Sequence, residues 1–449
     1  MSHIVFVETS GSGVNAINHA KQAGHTVTYL YSPRYDFTAS SGQRQLARKL
    51  ADRTAEMRNV RTPEDLLATL RAAGTRPDEV DAVLSTLAFC APLAASLASL
   101  IGARGTPAEG VATARDKGRC RQALDEAGVP SLAYSVVGSE DEALAAAEGT
   151  GYPVIIKPVL GIGKGLTTIA REPAQVRAHF AGLTGEREHL PAGMSTHFDE
   201  RFVVEELAVG DLYSVEVAAD GRSVTPLVST LQKTGLHNSV VELGCTIPSA
   251  LDEATERELG VYAAQVCRTL GLTLGVFHVE MIRTTRGFRL VEANPRMAGG
   301  ALPETVNAVA DQSMFAILVD LFLGRDAPTA PLRLSGAVSH SLLGAAEATT
   351  VRHDLAPNWF DPFRARLHSG WERLQPGTRV GAMRGNFDRF GMIRTVGTGP
   401  AQAYETCAAV KADIQRHLGI ALLPEAKHRD TLSSGPDPRR AVSPAAASS

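Results

Sequence analysis

The sequence predicts an α/β fold with an α+β continuation, in which a small doubly wound unit precedes a larger part of strands and packing helices. Two observations lead to this prediction. Strand and helix patterns alternate over the first 112 residues, and an apolar hairpin pattern with acidic residues on one face follows much later. The 449 residues are 44% hydrophobic and 21% charged, which is typical of a globular protein with several domains.

The N-terminal unit is predicted from residues 3–31, which are patterned as strand, helix and strand, with a further strand and helix over residues 81–100. Gly11, Gly13 and Ala16 fit the dinucleotide motif G-x-G-x-x-A. The second strand does not end in the acidic residue that binds ribose in such proteins. An NAD oxidoreductase is therefore a distant alternative, and the glycines are interpreted as a tight turn.

Charge and cysteine usage exclude several classes of protein. The net charge is −3, and the 45 basic residues are scattered among 48 acidic ones, so no nucleic-acid partner is expected. The five cysteines have no metal-binding or disulfide-type spacing, which fits a cytoplasmic protein. We also expect no membrane span and no signal peptide, and the Ser-, Pro- and Ala-rich residues 426–449 predict a disordered tail.

Two lysines stand where a positive charge needs an explanation. Lys117 lies in the first turn of a helix predicted for residues 113–128, where it opposes the helix dipole. Lys157 lies inside the apolar strand pattern of residues 152–158, where its ammonium group needs an anion or a route to solvent. Both lysines are therefore candidate ligands of an anion.

A glycine-rich loop follows Lys157 directly. Alternating glycines expose backbone N–H groups and leave room for phosphate oxygens, and the loop consists of Gly161, Ile162, Gly163, Lys164 and Gly165. It is not a Walker loop, because a glycine instead of serine or threonine follows the lysine. The alternative interpretation is a flexible hairpin without a ligand.

A hairpin is predicted from residues 277–284 and 288–294, with Gly287 in the left-handed position of a three-residue loop. Closing it at Thr284 opposite Phe288 places Glu280 opposite Glu292. The same register places His278 opposite Asn294. Two glutamates whose Cβ atoms lie about 5 Å apart on a partly buried hairpin destabilise it unless their carboxylates share a divalent cation. A solvent-exposed strand face is the alternative, and the apolar residues of both strands argue against it.

The segments HVEMI, RLVEANPR and the following Gly-Gly resemble the metal-binding end of ATP-grasp ligases, and the likeness extends over residues 111–325. This resemblance implies an ATP-grasp fold with a mobile lid. The expected domains are a pre-ATP-grasp domain (1–112), an N-terminal ATP-grasp part with the lid (113–200), a catalytic part (201–330), a β-rich C-terminal subdomain (331–425) and the tail (426–449).

The resemblance also implies a site for ATP with Mg²⁺ or Mn²⁺. It assigns Glu280, Glu292 and Asn294 to the metal. The ATP ligands would be Lys117, Lys157, Gly161, Gly163, Lys164, Gly165 and the adenine hinge Glu205, Glu206 and Leu207. The family's ribose-binding acid aligns with Leu212, so Asp211 or Glu216 would have to replace it.

The substrate residues come from a likeness to the L-amino acid ligases of the superfamily. Arg296 and Lys233 would be the catalytic residues, with Arg296 holding an acyl phosphate or a carboxylate, and Arg296, Glu242 and Gly299 would bind the substrates. The implied reaction joins a small-molecule carboxylate to an amine through an acyl phosphate and releases ADP. A homodimer is compatible with this family.

Two rival functions stay open from the sequence. One is an ATP-grasp carboxylase or nucleotide-pathway enzyme that uses bicarbonate, and the other is an inactive ATP-binding regulatory protein. The intact acids and Arg296 argue against the second.

Overall fold

We describe the fold from a computed structural model that covers residues 1–58, 60–161, 165–188, 190, 192–195, 197–385, 388–426 and 428. In these residues the helices are α1 (Val14–Gln22), α2 (Ser41–Leu50), α3 (Pro63–Ala72), α4 (Ala91–Ile101), α5 (Ala108–Arg115), α6 (Lys117–Glu126), α7 (Glu140–Thr150), α8 (Pro173–Glu188), α9 (Ala192–Ser195), α10 (Glu253–Thr269), α11 (Leu302–Asn307), α12 (Met314–Phe322), α13 (Asp361–Arg364) and α14 (Pro400–Leu418). None of them is long and apolar enough to cross a membrane.

The strands of the described residues are β1 (His3–Val7), β2 (Thr26–Tyr31), β3 (Arg53–Glu56), β4 (Ala82–Leu84), β5 (Tyr134–Val137), β6 (Val154–Pro158), β7 (Thr168–Ala170), β8 (Phe202–Glu206), β9 (Asp211–Asp220), β10 (Val224–Thr234), β11 (Glu242–Ile247), β12 (Leu274–Thr284), β13 (Gly287–Asn294), β14 (Ala337–Leu343), β15 (Thr349–Thr350), β16 (Ser369–Glu372), β17 (Arg379–Val380) and β18 (Gly391–Gly397).

The N-terminal unit is a parallel sheet with the order β3-β2-β1-β4, as expected for a doubly wound domain. Strand β1 is apolar on both sides because it packs into two cores. Ile4 and Phe6 join the core around α1 and α12, whereas Val5 and Val7 join the core around α3 and α4. The unit therefore packs directly on the rest of the molecule.

A four-stranded antiparallel sheet, β5-β8-β6-β7, forms the region predicted as the lid. Helices α7 and α8 pack on it. Lys157 lies on β6 of this sheet, and Glu205 lies on the neighbouring strand β8.

The largest sheet has eight strands in the order β13-β12-β9-β10-β11-β14-β18-β16. The C-terminal part therefore continues the sheet that carries the acidic hairpin. We call the side with Glu216, His278 and Glu280 the acidic face and the opposite side the back face. Helices α10 and α14 cover the back face, where Val279 and Ile393 enter their cores.

The predicted hairpin is present, and its register is correct for the acids but wrong at the turn. His278 pairs with Asn294 and Glu280 with Glu292, which confirms the prediction for these pairs. Thr284, however, pairs with Gly287 and not with Phe288. A β-bulge at Val291 supplies the missing residue and restores the expected pairing at Glu292. Gly287 has the expected positive φ, at 88°.

Two other predictions need correction. The helix expected for residues 113–128 is two helices, because Asp116 leaves helical geometry and caps α6 by accepting a hydrogen bond from the Arg119 N–H at 2.9 Å. The tail was predicted to start at residue 426, but the Ala426 N–H donates to the Thr234 carbonyl at 2.7 Å, and the His428 side chain is buried. The remaining tail residues, 427 and 429–449, lie outside the described part of the chain.

Candidate functional site

The site is built around two carboxylates that face each other across β12 and β13. Glu280 is buried, and its Oε1 lies 3.2 Å from the His278 Nε2. Glu292 is partly exposed, and its Oε1 lies 3.1 Å from the Lys117 Nζ. Each carboxylate of the pair therefore has a cationic neighbour. The alternative of a purely solvent-exposed strand face is excluded by these contacts.

His278 is held as a cation between two acids. Its Nδ1 lies 2.5 Å from the Oε1 of Glu216 on β9. Burial alone would lower the pKa of His278, but the Glu216 and Glu280 carboxylates raise it to about 10. The other oxygen of Glu216 accepts a hydrogen bond from the Ala298 N–H at 3.0 Å. Glu216 thus ties His278 to the loop that follows the hairpin.

Arg296 lies in that loop, just past the strand end. Its guanidinium donates to the Met297 carbonyl at 2.7 Å and approaches the Asn294 Oδ1 at 3.5 Å. Burial lowers the pKa of Arg296, and the carboxylates of Glu292, Glu216 and Glu280 oppose this shift. A Cβ atom at Gly299 would lie 3.6 Å from the guanidinium. The structure therefore brings Arg296, Gly299 and Asn294 together, and the substrate role of Arg296 and Gly299 stays a prediction.

Lys157 belongs to a buried ionic group that the sequence analysis did not foresee. Its Nζ lies 2.7 Å from one oxygen of Glu205, and the Arg121 Nε lies 3.0 Å from the other. Burial lowers the pKa of Lys157 to about 8, although Glu205 opposes this shift. Burial alone would raise the pKa of Glu205, but Arg121 and Lys157 hold it below its ordinary value. The Glu205 side chain is thus a counter-ion for two cations.

Arg121 is the site residue that sequence reasoning missed. It is 1% exposed and lies on α6, one helical turn after Lys117. The spacing Lys117, Arg121, Leu124 places all three on one helix face, and Leu124 is fully buried. The pattern that could have predicted the burial of Arg121 is its place on the same helix face as the apolar Leu124.

The three residues predicted to form the adenine hinge lie at the end of β8, and their polar groups have partners within the protein. The Glu206 side chain pairs with Arg286 at 2.6 Å, and the Glu206 backbone N–H donates to the Ala133 carbonyl. The Leu207 N–H lies 3.3 Å from the Pro153 carbonyl. The adenine role of Glu205, Glu206 and Leu207 stays a prediction.

Glu216 and Asp211 lie at different places on β9. Glu216 is 2% exposed and bound to His278 and Ala298, as described above. Asp211 starts the strand, pairs in register with Arg283 and lies 3.7 Å from the His428 Nδ1. Both acids are buried, and the ribose role of either one stays a prediction.

The glycine loop is described only at its two ends. A Cβ atom added at Gly161 would lie 3.1 Å from the Phe198 ring, and one at Gly165 would lie 2.9 Å from it. The ends therefore pack closely on an aromatic ring. Gly163 and Lys164 lie outside the described residues, as does Ile162.

Lys233 does not lie beside Arg296, the other residue that is predicted to be catalytic. The strand alternation turns Gln232 to the acidic face, where it donates to the Ser214 Oγ at 2.9 Å. Lys233 consequently points to the back face, where its Nζ lies 2.8 Å from the Ser341 Oγ and 4.9 Å from the centre of the Tyr404 ring of α14. It is fully buried there.

Glu242 starts β11 and pairs in register with Thr234 at the end of β10. The bulge between Lys233 and Thr234 separates this pair from the regular ladder. The substrate role of Glu242 stays a prediction.

The acidic hairpin fits a Mg²⁺ site that is completed by a substrate. No group of three His, Cys, Asp or Glu side chains in the described residues is arranged to hold a metal ion by itself. Mg²⁺ is usually held by one or two carboxylates together with substrate phosphates and water. Glu280, Glu292 and the Asn294 amide oxygen match that requirement.

Comparisons with known proteins identify a domain family and several relatives for part of the chain. Residues 150–304 match the ATP-grasp domain family. The chain is 30% identical over 273 residues to carnosine synthase 1 of Gallus gallus, covering 58% of this chain and 29% of that protein. It is 27% identical over 251 residues to the alanine–anticapsin ligase of Bacillus subtilis strain 168, covering 53% of each chain. The chain thus spans about half or less of the length of these curated relatives.

Solved structures extend the likeness over nearly the whole chain. The L-amino acid ligase from Bacillus licheniformis superposes with a TM-score of 0.74 at 14% identity, over 96% of this chain and 99% of that one. A biotin carboxylase from Campylobacter jejuni superposes with a TM-score of 0.65 at 16% identity, over 94% and 92%. The chain therefore has an ATP-grasp domain and the ATP-grasp fold, and the proteins it resembles include amino acid ligases of that superfamily.

Proposed function

We propose that this protein is an ATP-dependent ligase that joins a carboxylic acid to an amine and releases ADP and phosphate. The observation that carries the proposal is the pairing of Glu280 with Glu292 on one face, with Asn294 and Arg296 beside them. Lys117 and Lys157 border this face from the lid side. This arrangement suits phosphoryl transfer, which depends on positioning and on neutralising charge.

The reaction would proceed in two steps. A carboxylate oxygen of the first substrate attacks the γ-phosphorus, and the bond from this phosphorus to the oxygen of ADP breaks. The amine nitrogen then attacks the acyl carbon, the carbon–nitrogen bond forms, and phosphate leaves with the bonding electrons while the amine loses a proton. The enzyme's contribution is to place both substrates in line and to exclude water.

The chain's own residues would divide this work. Glu280, Glu292 and Asn294 would hold Mg²⁺ or Mn²⁺, which when bound neutralises the oxygens of the β- and γ-phosphates. Lys117 lies within reach of both Glu292 and a phosphate placed at the hairpin, and Lys157 would bind further along the nucleotide. Arg296 presents a planar fork that suits a carboxylate or an acyl phosphate.

Both substrates are proposed to be small molecules, with an amino acid or a similar acid as acyl donor and a second amino acid as amine. The name of the alanine–anticapsin ligase supports an amino acid substrate. The structural similarity to an L-amino acid ligase supports the same class.

ADP release measured over a matrix of amino acids and small acids tests the proposal, with mass spectrometry of the products. ADP release should need both substrates or rise sharply with the second one, and hydroxylamine should trap the activated acid as a hydroxamate. The carboxylase alternative is supported by the fold similarity to biotin carboxylase. ATP turnover driven by bicarbonate alone, without any hydroxamate, would favour that alternative and contradict the ligase.

A further inference from the structure

The hairpin places its two acids on one face only because β13 contains an extra residue. From the turn up to Leu290, residues pair in the register that begins with Thr284 opposite Gly287. Continued without interruption, this register would place Val291 opposite Glu280 and would turn Glu292 to the back face. The bulge at Val291 shifts the register by one residue, so that Glu292 pairs with Glu280 instead. The proposed metal site depends on this shift.

A bulge interrupts the hydrogen bonds of the ladder, and the backbone groups around it need other partners. Arg121 provides them for two neighbouring carbonyl groups. Its Nη2 donates to the Leu290 carbonyl at 2.9 Å and to the Val291 carbonyl at 3.0 Å. The Lys157 Nζ adds a longer contact of 3.4 Å to the Val291 carbonyl. The Leu290 N–H donates to the Tyr262 hydroxyl at 2.8 Å.

Glu205 fixes Arg121 on the side away from the bulge. Its Nε lies 3.0 Å from Glu205, so its guanidinium has Glu205 on one side and the two bulge carbonyls on the other. Both side chains are almost fully buried. A guanidinium in such surroundings keeps a single orientation, because any other would leave a buried charge without partners.

We propose that Arg121 is a positioning residue that holds the Val291 bulge and thereby keeps Glu292 opposite Glu280 for the metal. Glu205 is the counter-ion of Arg121 and fixes the orientation of its guanidinium. This inference rests on the proposed function for its metal, but the bulge can be tested separately.

The main test compares Arg121→Met with Arg119→Met. Arg119 lies on the same helix, is exposed and contacts Glu109, so it is a matched control. We expect Arg121→Met to raise the Mg²⁺ concentration for half-maximal ADP release by about tenfold or more. ATP affinity measured by calorimetry in EDTA should change much less. Arg119→Met should leave both values as in the wild type.

A deletion of Val291 provides a rescue that a merely structural role would not predict. Removing the extra residue yields a regular hairpin in which Glu292 still faces Glu280, because the alternation on either side of the bulge is preserved. In this background Arg121→Met should have little effect on the Mg²⁺ midpoint. Lys at position 121 keeps the charge but not the fork, so Arg121→Lys should show an intermediate shift.

Hydrogen exchange of residues 291–294 tests the bulge without any activity. Arg121→Met should speed exchange in this segment at least about tenfold relative to Arg119→Met. Unchanged exchange and an unchanged Mg²⁺ midpoint, with only a lower melting temperature, would reject the proposal. If Arg121→Met does not fold, Arg121→Lys is judged by the same two measurements. A wild-type protein that binds no Mg²⁺-ATP, but whose variants show the exchange difference, would contradict the proposed function and leave the bulge assignment standing.

Discussion

Each face of the large sheet carries a buried or half-buried ionic group, and the two groups differ in how far their side chains are exposed to solvent. On the acidic face, Lys117 and Glu292 retain 12% and 26% of their side-chain exposure. On the back face, Lys233 has no exposure, and Glu425 and Lys411 of α14 each retain 12% of their side-chain exposure. The first group borders the cleft that we propose for the nucleotide, whereas the second lies in a closed interior.

The back-face group is satisfied within the chain. Glu425 pairs with Lys411 at 2.7 Å and accepts a hydrogen bond from the Ser341 hydroxyl, which also contacts Lys233. Burial alone would raise the pKa of Glu425, but Lys233 and Lys411 lower it to about 2. Such a closed group supports the fold, whereas the charges of the acidic face are the ones that we propose to meet a ligand. The face of the sheet that a strand lysine occupies therefore decides whether it lies in the proposed site or in the core.

The largest effect should come from the acidic face. Glu292→Ala removes one of two opposed carboxylates, and we expect ADP release at saturating Mg²⁺ to fall roughly a thousandfold, because charge at the γ-phosphate is no longer neutralised. The unfolding transition should stay near that of the wild type. Glu253→Ala changes an exposed glutamate on α10 and should leave turnover unchanged. Near-normal turnover of Glu292→Ala would remove the metal assignment.

A substitution on the back face should lower stability and leave substrate binding unchanged. Lys233→Met breaks a buried ionic group, and we expect the free energy of unfolding to fall by about 3 kcal/mol in urea titrations. The Michaelis constants of the protein that remains folded should not change, because Lys233 does not face the cleft. A large rise in one substrate's Michaelis constant without a loss of stability would instead restore Lys233 to the substrate site.

The pH dependence of stability should sharpen the same contrast. The pKa of Glu425 is about 2 in the folded protein and 4.5 in the unfolded chain, so its contribution is present above pH 4.5 and is lost as the pH falls toward 2. Between pH 5 and pH 3 the wild type should lose about 2 kcal/mol more than Glu425→Gln. Urea unfolding at both pH values measures the difference. Parallel pH curves for the two proteins would contradict the assignment.

The sequence predicted the fold and most of the acidic face because local patterns determine them. The strands and the turn glycine follow from alternation and spacing. The pairing of Glu280 with Glu292 was predicted from a turn register that is wrong by one residue, and the Val291 bulge restores it. The bulge was missed, although the phase of the pattern indicates it: Phe288 and Leu290 are apolar at even positions, whereas Ala293 is buried at an odd one. Only an extra residue between Leu290 and Ala293 can bury all three on the same face.

The position of Lys233 and the role of Arg121 could not be derived in the same way. Lys233 is buried because α14 covers its face of β10. The residues of α14, such as Tyr404, are more than a hundred positions away in the sequence. Arg121 depends on contacts between α6, β8 and β13, which no local pattern specifies. Long-range packing thus decides which charged residues belong to the site.

The smallest of these effects should come from Lys157, which belongs both to the cleft and to a buried ionic group. Lys157→Ala removes a cation from the nucleotide side, and we expect ATP affinity to fall about tenfold, or about 1.4 kcal/mol. Calorimetry with ATP and Mg²⁺ measures this change, and the exposed Lys49 provides a matched control in Lys49→Ala. Arg121 still neutralises Glu205 in this variant, so the fold should persist. ATP affinity equal to that of Lys49→Ala would make Lys157 a partner of Glu205 alone and would place the nucleotide elsewhere on the acidic face.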